Sequence, residues 1–254
     1  MSDLNDKIAL VTGGAKGIGR AICLELAARG AKIALVYRRD GLSAEKTAQE
    51  IRLAGGQVGL YQVELTERQS VNRAVAQVVA DWGAIDILVN NAGASAPASL
   101  LELNDSQWQQ VLQSNATGCF ITSTEVAKVM LARGGSIISI AGASAHRCYP
   151  GAGAFGPSKA AVVNLTTQMA MEWAQYGIRV NGVSPGPIRE ADDGWQQQEP
   201  ALAEEVTRLP LRRAGTPREV AKAVCYLASE DAGYTTGQML IVDGGGVCTW
   251  YLAP

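Results

Sequence analysis

Short apolar runs rich in β-branched residues alternate along this chain with longer stretches whose apolar residues recur at helical spacing. KIALVTGG reads as a strand running into glycines, and the following GIGRAICLELAARG has a helical period and stops at Gly30. The alternation then repeats as strand AKIALVY, helix SAEKTAQEIRLAGG, strand QVGLYQV, helix RQSVNRAVAQVVADWG and the buried strand AIDILVNNAG. The pattern predicts one long helical region between Asp105 and Ala132, and a strand at GSIISIAG. It then predicts a helix from Ser158 to Tyr176 and a strand at IRVNGVSPG. A last helix over Pro217 to Ser229 precedes the strand-like GQMLIVDGGG.

Strands that are apolar throughout and joined by helices belong to a parallel sheet covered on both faces. Right-handed crossovers make such a sheet doubly wound. No linker, low-complexity tract or repeat divides the 254 residues, so a single-domain α/β Rossmann fold is expected over 1–254. Apolar residues make up 47% and charged residues 18%, ordinary for a globular protein. The net charge is −2 with no dense run of Lys or Arg, which gives no electrostatic support for nucleic-acid or anionic-membrane binding. Apolar runs such as 85–89 are too short to span a bilayer, and the first residues lack the order of a signal peptide. The five scattered cysteines have no CxxC pair and fit reduced thiols in the cytoplasm. A single histidine, His146, excludes a histidine-rich metal site. A hydrolase built on it would need a G-x-S-x-G elbow, which is lacking.

The first candidate chemistry is TGGAKGIG, Thr12 to Gly19, lying between the first predicted strand and helix. Gly13 permits a tight turn, Gly17 lets the backbone approach a pyrophosphate, and Gly19 allows close packing. The helix start offers unpaired N–H groups and a positive dipole end to the phosphates. Ala15, Lys16 and Ile18 share this loop. The second strand ends at Tyr37, followed by Arg38 and Arg39, where a site selective for NAD places an acid. Lys16, Arg38 and Arg39 converging there favour a 2′-phosphate, and hence NADP(H).

Together with NNAG (Asn90–Gly93), Asn115 in QSNATG, RVNGVSPGP and LIVDGG, this loop resembles the short-chain dehydrogenase/reductase family over nearly the whole chain. The likeness is to its 3-oxoacyl-carrier-protein reductases. It implies hydride transfer between a nicotinamide and a small carbonyl or alcohol substrate. Further coenzyme contacts are implied at Glu64, Leu65, Asn91, Ala92, Gly93, Lys159, Pro185, Gly186 and Ile188. A homotetramer is implied, paired through the helices around 105–132 and 158–176.

The family's catalytic Asn, Ser, Tyr and Lys carry over only in part. Asn115 and Lys159 are present, but Phe155 stands where the tyrosine belongs and Gly142 where the serine belongs. Glu190 also replaces the usual threonine after Pro185-Gly186. Phenylalanine neither donates a proton nor polarises a carbonyl, and such acid–base help is worth ~10²–10⁴ in rate. Substitute groups are offered by the loop ASAHRCYPG, namely Ser144, His146 and Tyr149.

Three readings follow. The protein reduces an α,β-unsaturated carbonyl, whose enolate needs an oxyanion donor more than a proton. Alternatively it is a silent NADP(H)-binding subunit, assembled with itself or with an active relative in a hetero-oligomer. Alternatively it is an ordinary ketone reductase with another donor. The segment 188–215, with Trp195 and Leu202, is expected to form a partly apolar lid over the substrate.

Overall fold

The computed structural model describes residues 4–190 and 194–249. Among them seven strands form one parallel sheet: β1 (Ile8–Thr12), β2 (Lys32–Tyr37), β3 (Val58–Gln62), β4 (Ile87–Asn90), β5 (Gly135–Ile140), β6 (Ile178–Pro185) and β7 (Met239–Val242). Their order is β3-β2-β1-β4-β5-β6-β7, so the direction of winding reverses between β1 and β4. Ligands of such sheets bind at the carboxyl ends of the strands beside that reversal.

Alternate residues of each strand face opposite layers. Ala9 and Val11 of β1 pack with Ile22 and Leu26 of α1 (Gly17–Ala28) and with Val220 and Val224 from the chain's last helix. Ile8 and Leu10 face the other layer, with Val71, Val75 and Val78 of the helix before β4 and Val126, Met130 and Met169 from later helices. Leu10 lies beside Ala34 on one side and Leu88 on the other. Both faces of the central strands are buried, as their continuous apolar runs require, while the edge strands β3 and β7 are partly exposed.

The other helices are α2 (Gly41–Leu53), α3 (Arg68–Trp82), α4 (Asp105–Leu112), α5 (Gly118–Met130), α6 (Phe155–Trp173), α7 (Trp195–Gln198), α8 (Pro200–Thr207) and α9 (Pro217–Ala228). Reciprocal capping boxes start α4, through Asn104 and Gln107, and α9, through Thr216 and Glu219. The predicted helix over 105–132 is two helices joined by a π-helical turn, Gln113–Thr117, which contains Asn115. Such a turn turns side chains out of the helical row, a common arrangement at functional sites. The helix placed at 158–176 starts earlier, at Phe155, and closes as a 3₁₀ turn over Ala174–Tyr176.

Part of the expected lid, 191–193, lies outside the described residues. In the rest, Trp195 is buried with Val206 and Leu209 in a small core of the segment's own, with Leu202 packed against it. Trp195 and Leu202 therefore hold this segment together. The segment's ends are pinned by Arg189 N–H donating to Gly215 O (2.9 Å) and Gly215 N–H to Pro187 O (2.9 Å). Among the described residues no helix is long and apolar enough to cross a membrane.

Candidate active site

At the carboxyl end of β1 the chain turns through Gly13 (φ +64) and Gly17 (φ +55), a region where glycine is unstrained. A Cβ on Gly17 would meet nothing within 4 Å, so the backbone there is open to a ligand. A Cβ on Gly19 would be driven into the Gly13 carbonyl, which makes glycine obligatory at 19. Lys16 precedes α1 without capping it. The first N–H groups of α1 therefore face outward without a side-chain acceptor. An open backbone of this shape at a helix start fits a pyrophosphate.

The loop is held from behind by residues of two strand ends. Thr12 Oγ1 donates to Val89 O (3.2 Å) and accepts from the N–H groups of Asn91 (2.9 Å) and Ala92 (3.0 Å). Asn91 Nδ2 donates to Thr12 O (3.0 Å) and Gly13 O (3.1 Å). Asn91, expected at the coenzyme, thus uses its side-chain amide nitrogen to hold the loop's backbone. Thr12 was missed, although a threonine closing β1 just before the glycines was visible in the sequence.

The carboxyl end of β2 corrects the count of charges. Lys16 Nζ sits 2.8 Å from Asp40 Oδ2, and Arg38 Nη1 lies 3.8 Å from Glu64 Oε2. Three cations are therefore faced by two carboxylates. Arg39 is exposed and forms no ion pair among the described residues. Asp40 caps α2 by accepting from Ser43 N–H (3.0 Å) and Ser43 Oγ (2.9 Å). Its carboxyl is held down to about 2 by hydrogen bonds from Lys16 and Ser43. Asp40 lies three residues past the strand end and was read over. The signal was a cap residue followed three positions on by serine. Glu64 Oε1 also accepts from Thr66 N–H (3.3 Å) and Thr66 Oγ1 (2.9 Å).

Beyond the loop, Asn115 Oδ1 accepts from Ala94 N–H (2.7 Å), while Nδ2 donates to Ala94 O (3.0 Å) and Ser158 Oγ (2.8 Å). Ser158 Oγ donates onward to Phe155 O (2.7 Å). With its side chain fully used, Asn115 ties the segment after β4 to the first turn of α6, a positioning role. Lys159 is 5% exposed, and its Nζ donates to Ile140 O (2.8 Å). Burial pushes its ammonium down to about 8. Phe155, one turn earlier on α6, places its ring centroid 5.6 Å from that Nζ. Gly93 is pressed against both groups, since a Cβ there would lie 3.0 Å from Asn115 Oδ1 and 3.5 Å from Lys159 Nζ. Asn115, Lys159, Leu65 and Cys119 also line a cavity of about 10 Å³, room for one water.

The three substitute groups separate clearly. Tyr149 is 55% exposed. His146 Nε2 lies 2.8 Å from Ser184 Oγ with the ring otherwise exposed. Ser144, in the 3₁₀ turn Ala143–Ala145, is buried against Gly142. Gly186 is locked by its N–H donating to Val242 O (3.0 Å), and a Cβ on it would meet Asp243 at 2.7 Å. Pro185 ends β6, Ile188 packs on the core beyond it, and Glu190 is exposed. Among the described residues no cluster of His, Cys, Asp and Glu is arranged to hold a metal.

A family model described as "Enoyl-(Acyl carrier protein) reductase" matches residues 13–246. A 3-oxoacyl-[acyl-carrier-protein] reductase from Synechocystis is 36% identical over 247 residues, 96% of this chain and 98% of the relative. An uncharacterized oxidoreductase, YohF, from Escherichia coli is 35% identical, over 94% of this chain and 95% of its own length. The crystal structure of a short-chain type dehydrogenase/reductase from Mycobacterium marinum superposes with a TM-score of 0.90 at 36% identity, covering 97% and 98% of the two chains. The strand order, the phosphate loop and these relatives agree: the chain belongs to the short-chain dehydrogenase/reductase family and is an oxidoreductase of that type.

Proposed function

We propose that the protein is an NADP(H)-dependent reductase of small α,β-unsaturated carbonyl compounds. The observation that carries this is the Phe155 ring set one helical turn before buried Lys159, beside an intact phosphate cradle. The phosphate cradle and the lysine are kept, the usual threonine after Pro185-Gly186 is replaced by Glu190, and the usual proton donor is lost. The bound nicotinamide supplies hydride. The glycine loop and α1 hold the pyrophosphate, Lys159 binds the nicotinamide ribose, and the lid excludes water. Hydride adding to the far carbon of a C=C–C=O system moves the π pair onto oxygen, giving an enolate whose carbon later takes a proton from water. No residue of the chain has to give up a proton in that step. Ketone reduction, by contrast, makes a localised alkoxide that needs one.

The family description names an enoyl-(acyl carrier protein) reductase, while the Synechocystis relative is named a 3-oxoacyl-[acyl-carrier-protein] reductase. The loss at 142 and 155 favours the first chemistry. NADPH oxidation measured against enones, enoyl thioesters and plain ketones tests this, with turnover expected only on the conjugated members.

The charges at the adenosine end refine coenzyme choice. A 2′-phosphate has to draw Lys16 away from Asp40. Asp40→Asn keeps the helix cap, because asparagine caps as well as aspartate, and removes the competing charge. We expect NADPH to bind about fivefold more tightly to this variant, the scale of one exposed ion pair, with NADH unchanged. Arg38→Asp shifts preference toward NADH. Calorimetry showing equal gains for both coenzymes in Asp40→Asn contradicts this placement of the phosphate.

Exposed apolar residues on α5 and just after it (Phe120, Val129, Leu131), and Met171 and Tyr176 at the end of α6 and just beyond it, support pairing through these helices. We expect a homotetramer by light scattering, and a monomer at micromolar concentration would refute it.

A further inference from the structure

We infer that Ser144 supplies the oxyanion-stabilising hydroxyl that positions 142 and 155 no longer carry, an assignment that rests on the conjugate-reductase reading above. Ser144 Oγ is the one buried side-chain oxygen or nitrogen among the described residues with no hydrogen-bond partner. Folded proteins rarely leave such a group unpaired, because its lost hydration is uncompensated. Other buried hydroxyls here are satisfied, as Ser136 is by Leu227 O (3.0 Å) and Thr166 by Val162 O (2.8 Å).

Its position is the second observation. A Cβ built on Gly142 would lie 3.2 Å from Ser144 Oγ and 3.8 Å from Phe155 Cε1. The Ser144 hydroxyl therefore stands beside the place of the lost serine, and that same place borders the ring that replaces the lost tyrosine. The backbone at Gly142 is extended (φ 171, ψ 155), a conformation open to any residue. What glycine provides there is room for the Ser144 hydroxyl, which lies two residues along the chain.

In the proposed step the Ser144 O–H donates a hydrogen bond to the enolate oxygen and keeps its proton. The new C–H bond takes the hydride pair, the π pair goes to oxygen, and water protonates carbon afterwards. Turning Ser144 about χ1 toward that oxygen forfeits no hydrogen bond, since it makes none. His146 and Tyr149 are worse placed, one bonded to Ser184 and one mostly in solvent.

The test is Ser144→Ala, assayed with NADPH and the best enone. We expect kcat to fall ~10²-fold, the scale of one oxyanion donor, with KM little changed. The melting temperature should hold or rise, because alanine removes an unpaired buried hydroxyl. Ser144→Thr, which keeps the hydroxyl, should recover part of the rate. An unchanged kcat, or a lowered melting temperature, overturns the assignment.

A second readout needs no turnover. Binding of 4-nitrophenolate, an enolate-like oxyanion, to the NADP⁺-saturated protein is followed by its absorbance, and Ser144→Ala should weaken it about tenfold. Equal binding by both proteins, including none by either, overturns the assignment. Ser144-dependent phenolate binding without enone reduction would sink the conjugate-reductase reading and leave Ser144 as the oxyanion donor.

Discussion

Gly142→Ser combined with Phe155→Tyr is expected to raise NADPH-dependent reduction of simple ketones by ~10²–10⁴, the usual worth of positioned acid–base groups. The remaining parts of the apparatus are in place. Lys159 is buried one turn from residue 155 on the same helix, with its ammonium near neutrality. Asn115 and Ser158 fix the first turn of that helix through the Phe155 carbonyl. A tyrosine hydroxyl adds one oxygen to a ring already there, and leaving it unpaired costs ~1–3 kcal/mol, which a folded domain tolerates. A serine at 142 meets no backbone strain, but its Cβ presses on Ser144 Oγ at 3.2 Å, so that hydroxyl must shift by a few tenths of an ångström. The same crowding predicts that the double variant loses part of its enone activity as it gains ketone activity. Steady-state rates on both substrate classes check this, and a folded variant with no gain on ketones contradicts it.

Lys159→Met is expected to separate stability from function. Burial has lowered the Lys159 ammonium to about 8 from its ordinary 10.5, so the folded chain holds that charge at a cost. The cost is fully present below pH 8 and disappears as pH rises from 8 toward 10.5, because in that window the unfolded chain binds more protons. Each pKa unit is about 1.4 kcal/mol, so the methionine variant should be more stable at pH 7 by a few kcal/mol, less whatever the freed Ile140 carbonyl loses. Its advantage should shrink above pH 8. Coenzyme affinity moves the opposite way. The ammonium is the better donor to a ribose hydroxyl, so NADPH binding to the natural protein should weaken above pH 8, up to tenfold per unit. The variant should bind weakly at every pH. Urea titrations and calorimetry between pH 6.5 and 9.5 read both effects, and a variant less stable than the natural protein at pH 7 contradicts the burial argument.

Most of the fold was legible in the sequence because its signals are local. Apolar β-branched runs such as IALVT and ILVN have to be buried on both faces, and glycines at 13, 17 and 19 allow a turn that other residues would strain or block. The π turn at Gln113–Thr117 was not legible, because widening one helical turn leaves the apolar spacing on either side intact. Trp195 suggested a cover over substrate, yet a single aromatic does not announce whether it faces a ligand or its own segment's core. The charge balance at Lys16 and Arg38 depends on Asp40 and Glu64 arriving from other turns of the chain, which spacing along one strand cannot reveal. Ser144, His146 and Tyr149 were equal candidates in a loop of nine residues. Which of them turns inward depends on the hand and length of one 3₁₀ turn, and only Ser144 is carried against Gly142.

The measurement that bears most directly on the central proposal is NADPH oxidation by the natural protein, run in parallel on cyclic enones, enoyl thioesters and unconjugated ketones of similar size. Turnover is expected on the conjugated substrates, with the product saturated at carbon and its carbonyl intact, and none on the ketones. Ketone reduction at a comparable rate would contradict it. So would NADPH that binds but is not oxidised with any of the substrates, alongside ketone reduction by the Gly142→Ser, Phe155→Tyr variant, an outcome that identifies a silent coenzyme-binding subunit instead.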